Sequence, residues 1–497
     1  MPRREEFHLH PFGHENDPEE ESFMLSHLDY LTAQTYNNYA LFFEVKEAEK
    51  PSVAAALKGA LERTLSQCKH LVGTIEKNEY GEHSFVKKRN STVLFVIQWL
   101  DTPEDSFPSS SDLEKSHFVS SRLGDITTLS IKKMVYGERP ECSPDASPVI
   151  SAFQANFIPG GLILNMHHHH YANDVMGWAS CVYQLAENCY SIIKNTKPPS
   201  WAPECLDRAR FIVKDVPNEE KVDGPPAPER HPDLHPASWL LFHLPKSKAA
   251  ELKKVAMPSD GSWISTYDAF SALIWRVLSK YRAPLYKAEL AATSCWGEGI
   301  NMRPRLNPRG AERIQGNVCH GALAGAEPGK PSNAEVISEA PLSRVAAYIR
   351  TLTDRTTEES LMKLLETVAP IRDKSSLFIR TNSFPPMSVL MTDWRDTRIC
   401  EADFGFGRPK AYRHLFDTVS EGVNIVYPPR NTGDPDEGCE LVISCEKELV
   451  KQVLADGEML MYFEFRGFEA GAIELELDSS ATPRSPPPKA SKACRFL

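Results

Sequence analysis

A strand that runs straight into a helix, with histidines at the junction, constrains this chain more than any other stretch. Gly161-Leu162-Ile163-Leu164 is a short apolar run leading into Asn165-Met166-His167-His168-His169-His170-Tyr171-Ala172-Asn173-Asp174. Beyond it, Val175, Ala179, Val182, Ala186, Cys189 and Ile193 recur at spacings of four and three, the period of a helix with one buried face. Such a junction holds a side chain rigidly while leaving it open to a cleft. Histidine is the side chain best suited to take a proton near neutral pH. His170, four residues ahead of Asp174, is therefore a candidate general base. On the residues alone, three roles stay open for the run: catalysis, structural hydrogen bonding, and metal ligation, because neutral imidazole is a common zinc ligand. Alternation along a strand sets His168 and His170 on one face and His167 and His169 on the other. Two ligands per face fall short of the four that a structural zinc site uses.

A chain of 497 residues exceeds one ordinary core and predicts two large domains. Hydrophobic residues at 41% and charged residues at 25% fit a soluble globular protein. The net charge of −11 argues against nucleic acid as a partner, because phosphate binding needs a basic surface. No window approaches the roughly 18 apolar residues of a membrane span. Met1-Pro2-Arg3-Arg4-Glu5-Glu6 has no apolar stretch behind it, so no secretory signal is expected. The 11 cysteines are scattered from Cys68 to Cys494. An odd, unclustered set points to reduced thiols and a cytoplasmic location.

Residues 1–20 are polar and are expected to be mobile. Ser52 to Cys68 reads as a helix with Leu57, Leu61 and Leu65 in one stripe. From residue 194 to 238 the chain carries nine prolines between Pro198 and Pro236. Proline lacks an amide donor and fixes φ, so this stretch is expected to be a crossover linker rather than a core element. Strand character resumes at Trp239-Leu240-Leu241-Phe242. Ser265-Thr266-Tyr267-Asp268 is a capping box opening a helix whose buried face is Phe270, Leu273, Ile274 and Val277. Residues 479–497 are rich in Ser, Pro and Lys and read as a disordered tail. Helices and strands are mixed throughout, so the class is α/β. The expected domains are 21–193 and 239–478.

Asp403-Phe404-Gly405-Phe406-Gly407 is the second motif. Its first three residues occur in protein kinases, but the glycine-rich loop and His-Arg-Asp loop that kinases also need are missing here. With His170 to Asp174, the motif resembles the BAHD acyltransferases, particularly the fungal branch that includes trichothecene O-acetyltransferase. That family carries HxxxDG midway and DFGWG near its C-terminus. Leu25-Ser26-His27-Leu28-Asp29, His70-Leu71-Val72-Gly73-Thr74, the segment from Ile264 to Ala272, and Asn301-Met302-Arg303-Pro304-Arg305-Leu306 with Gly316-Asn317 resemble further family segments. The match covers roughly residues 20 to 475.

The resemblance implies a two-domain fold like chloramphenicol acetyltransferase, with an active-site channel at the domain interface. It implies transfer from acyl-CoA, most simply acetyl-CoA, to a hydroxyl of a small secondary metabolite, without an acyl-enzyme. An N-acyltransferase or a condensation-type enzyme is the neighbouring alternative. A non-catalytic metal- or ligand-binding protein is the alternative of another class. In the leading reading His170 matches the catalytic base, and Trp394, in Thr392-Asp393-Trp394, matches an oxyanion donor that Thr392 helps to shape. Asp174 is a candidate catalytic partner that would orient His170, but it matches an aspartate that usually turns away and pairs with an arginine, which is the favoured role. Asp403 matches a residue paired with the arginine equivalent to Arg303, in a loop braced by Gly405 and Gly407. Ser265 and Thr266 fall in a segment expected to meet substrate or CoA. Neither a metal nor a resident cofactor is implied, acyl-CoA being a co-substrate, and a monomer is expected. Val175 stands where the family has glycine, and Phe406 where it has tryptophan. The other three histidines carry no implied role: one is expected on a backbone group, the others at the surface. Cys494-Arg495-Phe496-Leu497 superficially matches a prenylation box.

Overall fold

The computed structural model describes residues 2–213, 216–324 and 329–473; the expected tail at 479–497 and Cys494 lie outside them. Two mixed sheets form the frame. The first has six strands in the order β1-β6-β7-β8-β3-β13: β1 (Arg3–Leu9), β6 (Val93–Trp99), β7 (Ser151–Ile158), β8 (Gly161–His169), β3 (Tyr36–Glu44) and β13 (Ala411–His414). The second has seven in the order β11-β10-β12-β14-β15-β9-β16: β11 (Cys319–Leu323), β10 (Trp296–Asn301), β12 (Val389–Asp393), β14 (Val423–Tyr427), β15 (Cys439–Glu446), β9 (Ala237–Leu244) and β16 (Glu464–Ala470). A small sheet of β2 (Glu20–Met24), β5 (His83–Lys88) and β4 (Thr74–Lys77) flanks the first.

Strands β3, β7 and β8 are buried along nearly their whole length, and their polar residues, such as Asn38, Asn156 and Asn165, are hydrogen-bonded inside. Helix α1 (Lys50–Gln67) packs against α3 (Val175–Ile193), and together they cover one face of the first sheet. The short helix α2 (Ser110–Lys115) lies by β3. On the second sheet, α4 (Lys246–Ala256), α5 (Thr266–Leu285) and α6 (Leu342–Arg355) pack against one another over the second core. The box at Ser265 forms as the sequence reads: Ser265 Oγ accepts from the Asp268 amide, and Asp268 Oδ2 accepts from the Ser265 amide.

Three expectations need correction. Residues 3–9, placed in a mobile segment, form an edge strand paired with β6 along its length. The expected division at 239 is crossed by β13, which leaves the second half of the chain and pairs with β3. Its Arg413 is fully buried and held by Glu440 and Glu469. The proline-rich stretch is not excluded from the interior either: Cys205, Arg208 and Phe211 are buried, and Phe211 belongs to the second core. Prolines cluster around these residues without replacing them.

Candidate active site

The first three histidines are structural. His167 Nδ1 donates to the Met134 carbonyl at 2.9 Å while its Nε2 accepts from the Ile131 amide. His169 Nε2 donates to the Cys142 carbonyl at 2.8 Å while its Nδ1 accepts from the Tyr171 amide. One acceptor-only and one donor-only partner per ring dictate the neutral form. His168 Nε2 reaches the Asn173 carbonyl at 3.4 Å. Burial pulls His167 and His169 down to about 4 and His168 to about 3. The expectation that some of these rings lie at the surface is therefore corrected: all three are buried, because their strand is a central one. Among the described residues no group of three or more His, Cys, Asp or Glu side chains could hold a metal ion.

His170 differs. It is the first residue past β8 and, unlike the other three, only half-buried; its Nδ1 is shielded from solvent and has no hydrogen-bond partner among the described residues. Its amide donates to the Thr35 carbonyl at 2.9 Å, and its carbonyl accepts from Asn317 Nδ2 at 3.0 Å. Burial pulls its pKa below the ordinary histidine value, while its own backbone, Asp174 and Asn317 oppose that pull. The ring is thus neutral at pH 7 and able to accept a proton.

The next four residues are gripped from the other domain. Asp174 caps α3 by accepting from the Gly177 amide at 2.8 Å through Oδ1. Its Oδ2 accepts from Arg303 Nη1 and from the Val318 amide, each at 2.8 Å. Both oxygens are engaged away from His170. Arg303 also donates to the Gly316 carbonyl, and Asn173 Oδ1 accepts from the Gly316 amide at 2.6 Å. Gly177 permits this approach: a Cβ there would lie 2.5 Å from Asn173 Oδ1. Val175, in the position where the family has glycine, is only half-buried.

Asp29, Arg208 and Asn317 form a second layer to which the sequence reading gave no role. Fully buried Asp29 accepts from Arg208 Nη1 at 2.9 Å and from the Asn317 amide and Nδ2. Arg208 also donates to the Ala172 carbonyl. The Leu25–Asp29 and Gly316-Asn317 segments carried a signal for two of them. Arg208, alone in the proline-rich stretch, carried none.

Asp403 is not with Arg303. It is exposed, accepts from the Gly405 amide at 2.8 Å, and lies 3.8 Å from Arg408. The expected Asp403–Arg303 pair is replaced by Asp174–Arg303, because the DFGFG loop lies against the far end of α3. There Gly405, at φ +84°, abuts Tyr190 and Ile193, and Phe404 and Phe406 pack on Phe43. Gly407 has only the Glu44 carbonyl near its missing Cβ, at 4.0 Å.

Trp394 reaches the first core, with its ring 5.7 Å from Tyr39 and 6.2 Å from His414. Tyr39 is in turn 5.3 Å from His168. The indole N–H, expected to serve as an oxyanion donor, donates to Thr392 Oγ1 at 2.8 Å. Gly299 faces Thr392 on the neighbouring strand; a Cβ there would still lie 4.0 Å from Oγ1. Ser265 is spent as a cap. Thr266 lines a cavity of about 540 Å³ together with Lys246, Lys253, Lys254 and Arg395.

The chain matches the Transferase family over residues 13–460 and belongs to it: this is a BAHD acyltransferase. Acetyltransferase FGR3 of Gibberella zeae is 54% identical over 474 residues, spanning 94% of this chain and 95% of that protein. Trichothecene 3-O-acetyltransferase TRI101 of Fusarium sporotrichioides is 24% identical, over 87% of this chain and 94% of that protein. The fold is that of TRI101 from F. graminearum, solved with coenzyme A and deoxynivalenol. The TM-score is 0.74 at 20% identity, covering 90% of this chain and 100% of that one. No helix among the described residues is long and apolar enough to cross a membrane.

Proposed function

We propose that the protein is an acyl-CoA-dependent O-acetyltransferase acting on a hydroxyl of a small secondary metabolite, with His170 as general base. One observation carries this reading. In a run of four histidines, the first three are buried with their rings bonded to backbone groups of other residues, whereas His170 is only half-buried and its Nδ1 has no hydrogen-bond partner among the described residues at the domain seam. The acetyl group and hydroxyl acceptor are supported by the names of the related proteins, an acetyltransferase and a 3-O-acetyltransferase.

His170 removes the acceptor's hydroxyl proton as the oxygen attacks the thioester carbonyl. The carbon–sulfur bond of the tetrahedral intermediate then breaks, and the CoA thiolate recovers the proton from the imidazolium. The intermediate's oxyanion needs a donor positioned beforehand. Thr392 fits better than Trp394: its Oγ1 already accepts from the indole, which leaves the hydroxyl hydrogen to point elsewhere and polarises it. Trp394 then acts as a positioning residue. Asp174 holds the motif in place and takes no proton. The cavity by Thr266, with three lysines and Arg395 around it, suits the phosphates of CoA.

The test is thiol release from acetyl-CoA in the presence of a panel of hydroxylated terpenoids and polyketides. Substituting His170→Ala is expected to lower kcat by about 10²–10⁴ with the circular dichroism unchanged. In the wild type, kcat/KM falls as pH drops through an apparent pKa below 6.5, because the protonated imidazole cannot act as a base. Full turnover by the alanine variant would refute the assignment.

A further inference from the structure

We propose that Trp263, with Lys253 and Lys254, is the platform on which the adenosine 3′-phosphate end of CoA rests. The inference builds on the reading of acyl-CoA as donor and adds how free CoA is told from a thioester on a carrier. Trp263 lies in the connection between α4 and α5 and is 61% exposed, whereas Trp239, Trp275 and Trp296 are fully buried. A guanidinium and an ammonium lie near its indole: Arg350 Cζ is 5.5 Å from the ring centroid and Lys253 Nζ 5.3 Å. Arg350 is anchored by Asp354 at 2.9 Å and Asp268 at 3.6 Å. Lys253, half-buried near the C-terminal end of α4, and Lys254 line the cavity that Thr266 and Arg395 also border. One side chain therefore touches both the exposed ring and the cationic cavity.

The nearby carboxylates are engaged elsewhere. Asp260 accepts from the Ser262 amide and hydroxyl, and Glu251 pairs with Lys248. An exposed indole beside two lysines is a combination that binds a base and its phosphates together. Stacking supplies one part and charge the other. The cavity is also tied to the reaction centre, since Arg395 follows Trp394 directly and is held by Asp393, next to Thr392. CoA fits this layout, with its nucleotide at Trp263 and its arm directed along β12. A carrier-bound pantetheine has no adenine and would leave the indole unused.

The experiment compares acetyl-CoA with S-acetyl-pantetheine in the full-length enzyme and measures binding of adenosine 3′,5′-bisphosphate by calorimetry. Trp263→Ala is expected to raise KM for acetyl-CoA about tenfold with kcat unchanged, and to weaken bisphosphate binding to a similar degree. KM for S-acetyl-pantetheine should not move, and Trp263→Phe should recover most of the loss. A paired Lys253→Ala, Lys254→Ala variant should lose affinity for the bisphosphate more than for adenosine. Unchanged bisphosphate affinity in Trp263→Ala, or an equal loss with S-acetyl-pantetheine, would overturn the platform. The calorimetric result stands whether or not any acceptor is turned over, so it fails separately from the assignment of function.

Discussion

Helix α3 is held at its two ends by loops of unlike character. At its N-terminus Asp174 is nearly buried and spends both oxygens, on the Gly177 amide, the Val318 amide and Arg303. At its other end the DFGFG loop presses Gly405 against Tyr190, about 24 Å away by helical rise. There the aspartate is exposed and bonds only within its own loop and toward Arg408. The two aspartates, one in each motif, thus carry load differently. The first joins two domains through charge and hydrogen bonds that water cannot replace. The second holds through shape.

The comparison breaks if the two aspartates respond alike. Asp174→Ala strands the Arg303 guanidinium at the seam and removes the cap of α3, at an expected cost of about 4 kcal/mol. Urea unfolding of the purified protein measures it. Asp174→Asn keeps a capping oxygen for the Gly177 amide but turns an NH2 donor toward Arg303 and the Val318 amide, losing the charge and both of those hydrogen bonds, so a result between wild type and alanine, nearer to alanine, is expected. Equality with the alanine variant would mean that capping contributes nothing. Activity should fall in step with folded fraction, since Asp174 does not reach the histidine ring.

Gly405→Ala probes the other end through shape alone. The new Cβ would lie 2.8 Å from Tyr190 Cα at a φ of +84°. Tyr190 Cα is backbone, so the helix or the loop must shift, at about 2 kcal/mol or somewhat more. Denaturant midpoints again read the change. A neutral outcome would show that the loop floats free of α3 and would dissolve the contrast between the two ends.

What the sequence disclosed follows from how local each feature is. The period of α3 and the box at Ser265 depend on residues within one or two turns, and both appear where the pattern put them. Strand β1 was missed because its residues, Arg3 to Leu9, are charged and nearly all exposed. An edge strand tolerates such residues and even gains protection against misassembly from them. Strand β13 was missed because four residues, Ala411 to His414, cross into the other sheet on the strength of partners over three hundred positions away. In the site, the family pattern named His170 and Thr392-Asp393-Trp394 but not which hydrogen bond Trp394 makes, since that depends on the rotamer two residues back. It also gave Arg303 the wrong partner. The pattern does not say where the DFGFG loop docks: it lies against the far end of α3, out of reach of Arg303, which meets Asp174 at the N-terminal end instead.

The smallest effect is the most discriminating. Asp403 opens a motif as recognisable as the one that holds the base, and a loss of function on mutating it would readily be taken as chemistry. Its carboxylate is 44% exposed, one oxygen accepts from a neighbouring amide, and Arg408 at 3.8 Å is itself largely in solvent. An exposed ion pair and one loop hydrogen bond contribute about 1 kcal/mol or less together. Asp403→Ala should therefore keep nearly wild-type stability and turnover, whereas the notion of a buried partner for Arg303 demands a collapse. The double variant Asp403→Ala, Arg303→Ala sharpens this further. If the two residues are independent, as their placement requires, the losses add within about 0.5 kcal/mol. Pairing Arg303→Ala with Asp174→Ala should instead cost much less than the sum, because the second change removes a charge that the first has already stranded.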